Sequence, residues 1–187
     1  MRENLALVAS FFAMLSVGTA YFMKRKNAYL FCQGTCLVFL ILSYLFNAQY
    51  FAMIGVAIGL LRTIAYFIYE QKDCVAPLYV PILAVLLSLA SYFIVNYAVL
   101  QTAQPLDILC LLSLIGYAVI FRIRDMRLVR FLAFIPIILA IIFNTLTRAP
   151  IFTSITYIIE LTVNVISIYQ YYIKPKKQTE EIANEND

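Results

Sequence analysis

Long apolar runs alternate with short polar breaks along this chain. The apolar stretches are Leu5 to Phe22, Ala28 to Phe46, Phe51 to Tyr69, Leu78 to Leu100, Ile108 to Phe121, Leu128 to Phe143 and Ile151 to Ile173. Polar segments such as Lys24-Arg25-Lys26, Glu70-Gln71-Lys72-Asp73, Gln101 to Asp107 and Arg122-Ile123-Arg124-Asp125 divide them. A helix needs about 20 apolar residues to cross a hydrocarbon core of ~30 Å. The runs approach that length, so the pattern predicts an all-α, polytopic membrane protein with seven transmembrane helices. Pro77 and Pro81 suit the start of the fourth span, and Pro136 predicts a kink in the sixth. The first run reads as a retained span rather than a signal peptide, because a basic triplet follows it directly. From Lys174 the tail is polar, charged and expected to be disordered.

Composition agrees with this reading. Of 187 residues, 64% are hydrophobic and 13% charged, against roughly half and a quarter in soluble domains. The net charge of +4 does not point to nucleic acid, because the basic residues lie in short loops between apolar runs. Lys24, Arg25, Lys26, Lys72, Arg122, Arg124, Arg127, Arg130, Lys174, Lys176 and Lys177 would share one side, and only Arg2 and Arg148 the other. Lysine and arginine mark the cytoplasmic face, so the N-terminus is expected outside and the C-terminus inside. The sequence has no histidine, which removes histidine general bases and histidine-ligated metals. Cys32, Cys36, Cys74 and Cys110 read as free thiols, three of them small hydrophobes within apolar runs. No cofactor, metal or catalytic constellation is implied, and the chain is not expected to be an enzyme.

The first three spans resemble the last three. A basic loop follows the first helix of each set. Phe46-Asn47 and Phe143-Asn144 close the second helices, 97 residues apart, and Ile68-Tyr69 and Ile168-Tyr169 close the third, 100 apart. Three helices invert the chain and a fourth restores its direction, so the halves would be parallel repeats about an axis along the membrane normal. The expected organisation is 3+1+3: residues 1–73 as the first repeat, 74–104 as a linker helix, 105–173 as the second repeat and 174–187 as a cytoplasmic tail.

Two charges fall deep inside spans. Arg62 lies on one helical face with Gly55, Gly59, Tyr66 and Tyr69, roughly 17 Å into its run at about 1.5 Å per residue. A central arginine costs at least ~2.5 kcal/mol in lipid and calls for a partner or a wet cavity. Glu160 lies at similar depth in the seventh span, on a stripe with Thr153, Thr156, Asn164 and Ser167. The repeat would set the two across from each other, flanking a polar pathway or forming an ion pair, with Asn164, Asn47, Asn144 and Gln33 nearby. Alternatively they lock two helices together. Gly55 and Gly59 read as a packing notch. Tyr66, Tyr69, Tyr169, Tyr171 and Tyr172 read as an interfacial aromatic belt, with Tyr66 a lesser candidate for stacking on a substrate.

Gly59-Leu60-Leu61-Arg62-Thr63, Phe121-Arg122 to Arg127, Phe143-Asn144, and Glu160 with Asn164 together resemble the YgjV-type bacterial inner-membrane family. That family is similar in architecture to PQ-loop, SWEET and SemiSWEET proteins, which include parallel-repeat transporters. The resemblance spans Leu5 to Tyr172. It implies a multi-pass protein of the bacterial plasma membrane, with no particular substrate. The first and fifth helices lack the Pro-Gln pair of PQ-loop proteins, so neither sugar transport nor its hinge carries over. The expected function is a carrier of a small polar or anionic solute, with rocking halves and Glu160 coupling protons. The alternative is a non-transporting scaffold, sensor or partner subunit. The expected partners are the bilayer, the solute and, in a homo-oligomer, a second copy of the chain.

Overall fold

A computed structural model describes residues 2–99, 105–147 and 151–170. It is all-helical, with no strand among the described residues. The helices are α1 (Arg2–Ala20), α2 (Lys26–Phe46), α3 (Tyr50–Gln71), α4 (Tyr79–Phe93), α5 (Asp107–Ile120), α6 (Met126–Leu132), α7 (Phe134–Leu146) and α8 (Ile151–Ile168). Within the described residues, each apolar run is mainly helical. By length and composition, α1, α2, α3 and the α6–α7 stretch Met126–Leu146 are long and apolar enough to cross a membrane. α4, α5 and α8 are apolar but shorter. The expected tail lies outside the described residues.

Two elements differ from the sequence reading. The fourth span is α-helical only to Phe93 and continues as a π-helical stretch, Ile94–Val99. The sixth is divided at Ala133, three residues before the proline expected to kink it. Pro136 has no N–H for the carbonyl of Leu132, and its ring crowds that carbonyl, so the break falls one turn upstream. α5 braces this corner. Ser113 Oγ donates to Pro136 O at 2.8 Å, and a Cβ on Gly116 would lie 3.2 Å from Pro136 Cβ.

The turns after α2 and α3 share one geometry. Ala48 (φ 57°) and Asp73 (φ 51°) adopt the left-handed conformation. Gln49 N donates to Tyr44 O and Ala48 N to Leu45 O; Cys74 N donates to Tyr69 O and Asp73 N to Glu70 O. These paired bonds satisfy the last carbonyls of each helix, and the position is usually held by glycine.

Side-by-side packing runs in a ring. α1 packs on α2, α2 on α3, α3 on α5, α5 on α7, α7 on α8, and α8 back on α1; α4 lies across α3 and α5. Close approach of α3 to α5 needs Gly55, where a Cβ would meet Leu114 Cδ1 at 2.5 Å. Polar side chains turn inward: Ser10, Ser43, Thr153, Thr156, Asn164 and Ser167 are all fully buried. Large apolar side chains turn outward, among them Phe31 and Leu61 (both 65% exposed) and Ile151 (67%). This inverts the usual soluble pattern, in which extended apolar patches are covered.

The basic loops meet at one end. Lys26 Nζ lies 3.1 Å from Glu70 Oε2 and donates to Ile123 O at 2.9 Å. Arg122 Nε donates to Ala76 O at 3.1 Å, and Arg124 Nη2 to Asp73 O at 2.7 Å. The loops after α1, α3 and α5 are thereby tied together. At the opposite end, Tyr44 of α2 donates to Asn144 of α7 at 2.9 Å.

Candidate functional site

The inward stripe of α3 delivers Gly55, Gly59, Arg62 and Tyr66 to the interior, and all four are buried. Arg62 Nη1 donates to Leu114 O of α5 at 3.2 Å. Its guanidinium carbon sits 5.2 Å from the centroid of the Phe121 ring. Gly59 leaves room for it: a Cβ there would lie 3.7 Å from Arg62 Nη2. A carbonyl and an aromatic face together offset part of the cost of desolvating the cation. Arg62 Nε has no hydrogen-bond partner among the described residues.

Glu160 comes from the inward stripe of α8 and is 2% exposed. Its Oε1 accepts hydrogen bonds from Tyr21 at 2.8 Å and Tyr117 at 3.1 Å. Tyr29 donates in turn to Tyr21 Oη at 3.4 Å, so a line of phenols leads away from the carboxylate. The Gln33 side chain also faces Glu160, while its Oε1 has no hydrogen-bond partner among the described residues.

Of the arrangements the sequence left open, a direct ion pair is not formed. Among the described residues, ion pairs join Lys26 to Glu70 and Arg124 to Asp73, and none joins Arg62 to Glu160. The reason is local: each charge already has its own partners, a carbonyl and a ring for Arg62, two phenols for Glu160. Both nevertheless line one cavity of about 40 Å³, with Gln33, Tyr44, Asn144 and Tyr157. At roughly 10–15 Å³ per water centre, that is room for about three waters.

Of the seven residues singled out in the sequence, Gln33, Arg62, Asn144 and Glu160 meet at this cavity. The other three lie elsewhere. Asn164 is buried, but its Nδ2 donates to Arg130 O at 2.8 Å. Asn47 caps the end of α2, half-buried. Tyr66 donates to Ala118 O at 2.7 Å. Tyr66 is also 2% exposed, so it does not belong to an interfacial belt. Tyr169 is exposed, Tyr69 is half-buried, and Tyr171 and Tyr172 lie outside the described residues.

Arg130, counted in the sequence with the basic residues of one side, is buried. It is 1% exposed, and its Nη2 donates to Tyr21 O and Met23 O, both at 3.1 Å. A cation against the carbonyls that follow α1 is favourable, and it fixes the residue whose phenol reaches Glu160. Arg130 therefore holds the backbone at Tyr21.

Tyr21, Tyr117 and Arg130 were not singled out in the sequence as site residues. Tyr21 and Tyr117 carried one usable signal: a tyrosine inside an apolar run has a hydroxyl that must find a partner.

No protein-family model matches the chain, and comparisons with curated proteins and with solved structures give no match.

Proposed function

We propose that this chain is a multi-spanning membrane protein that carries a small polar or anionic solute by alternating access. The observation that carries the reading is the central cavity, with opposite charges on its wall that do not neutralise each other. A pair serving only to lock helices would be expected to bond directly, because an unpaired buried charge is costly. Here Arg62 and Gln33 each keep a polar atom without a hydrogen-bond partner. A solute with an anionic group would be met by Arg62, and Glu160 would exchange a proton or a cation.

The packing ring supports two related halves. Setting α1, α2 and α3 against α5, α6–α7 and α8 maps each neighbouring pair onto another: α1–α2 onto α5–α7, α2–α3 onto α7–α8, and α3–α5 onto α8–α1. α4 then stands outside as the linker of a 3+1+3 bundle. This is also the arrangement that the YgjV-type and SWEET-like resemblance implies. The basic end would face the cytoplasm.

The second reading, a non-transporting scaffold or partner subunit, draws on the size of the cavity. About 40 Å³ admits waters but no organic solute, so a carrier would need to open further to bind one. Uptake into proteoliposomes separates the two. A panel of small anions and polar solutes should yield at least one that accumulates, and Arg62→Ala and Glu160→Gln should each abolish that uptake. Uptake indifferent to both variants would exclude the proposed site.

A further inference from the structure

Among the described residues, apolar grooves open on the outside of the ring between α2 and α3 and between α4 and α5, and the second ends on a charge. The groove between α2 and α3, about 320 Å³, is lined by apolar and small side chains such as Phe31, Gly34 and Thr63. The groove between α4 and α5 is larger, about 430 Å³, and is lined by Pro81, Ile82, Val85, Leu86, Val119 and Arg122. Both volumes fall within the ~300–1,000 Å³ typical of ligand pockets.

We propose that the α4–α5 groove holds an acyl chain of an anionic phospholipid whose phosphate rests on Arg122. The inference needs the chain to lie in a membrane but does not need it to transport anything. Charge complementarity selects the occupant. Arg122 Nε is fixed by Ala76 O at 3.1 Å, which holds the guanidinium at the groove's end and leaves its terminal nitrogens to meet an anion. Of the carboxylates near that end, Glu70 pairs with Lys26, Asp125 caps α6 by accepting from Arg127 N at 2.8 Å, and Asp73 lies 3.9 Å from Arg124. A planar fork suits phosphate oxygens in a two-point contact. Basic pockets between membrane helices on the cytoplasmic side are where anionic headgroups bind. The groove walls continue from Arg122 along α4 as Pro81, Ile82, Val85 and Leu86, as a chain hanging from that phosphate would require.

The test is native mass spectrometry of the full chain in mild detergent. It is incubated with phosphatidylglycerol or phosphatidylcholine of identical acyl chains. Phosphatidylglycerol should be retained roughly fivefold more, the preference one arginine near a membrane surface supplies. Arg122→Gln should erase that preference, and Arg122→Lys should keep part of it. Val85→Trp should reduce retention of both lipids by filling the groove, whereas Val38→Trp, in the uncharged groove, should not. Glycerol phosphate at equal concentration should fail to displace the lipid. Equal retention of the two lipids, an unchanged preference in Arg122→Gln, or full displacement by glycerol phosphate would each overturn the proposal. Circular dichroism confirms that each variant is folded. A solute uptake assay on Arg122→Gln keeps the lipid site separate from the carrier reading, since loss of lipid preference with uptake intact affects only the former.

Discussion

Arg62 and Glu160 line the same cavity without bonding to each other. Arg62 is held by the Leu114 carbonyl and the Phe121 ring, and Glu160 by the phenols of Tyr21 and Tyr117. Two buried opposite charges, each separately supported, keep a polarised gap between them. On the proposed reading, that relationship is what a site would need and a structural clasp would not.

The phenols on Glu160 should be measurable through stability. Tyr21→Phe and Tyr117→Phe each remove one donor from a buried carboxylate, at an expected cost of about 1–3 kcal/mol. Unfolding in detergent, followed by circular dichroism, reads the effect. Changes within about half a kcal/mol, as surface positions show, would mean that the carboxylate does not depend on them.

Close packing of α3 on α5 predicts a paired effect. Gly55→Ala places a Cβ against Leu114 Cδ1 and should cost about 1–3 kcal/mol through overpacking. In a Leu114→Ala background the same substitution should be close to neutral. An equal cost in both backgrounds would show that the contact is not what limits the position.

Backbone geometry gives a prediction independent of function. Ala48 pays for a left-handed turn (φ 57°) that glycine adopts without penalty, so Ala48→Gly should stabilise the protein by about 1 kcal/mol. A lowered melting temperature would contradict the turn geometry.

Helices were legible in the sequence because apolar run length and polar breaks report directly on them, and the ends of α2 and α3 fell within two residues of expectation. The inward faces were legible too, since one helix's periodicity places Arg62 beside Gly59 and Glu160 beside Thr156. What one helix cannot reveal is which other helix it meets. Tyr21 and Glu160 are 139 residues apart, and nothing local announces their bond. Arg130 is a related case: its bonds to Tyr21 O and Met23 O cross more than 100 residues, and its local sequence does not announce them. Depth alone left open whether Arg62 and Glu160 would pair, and their separate local partners lie in the turn after α1 and on α5 with its C-terminal turn.

Accessibility of the cavity from the two sides of the membrane tests the central claim most directly. In a chain whose Cys32, Cys36, Cys74 and Cys110 are replaced by alanine, Gln33→Cys places a single thiol on the cavity wall. A membrane-impermeant maleimide is then applied to right-side-out and to inside-out vesicles. Alternating access predicts that this one thiol is labelled from both sides. Labelling from neither side, or from one side only, would contradict it.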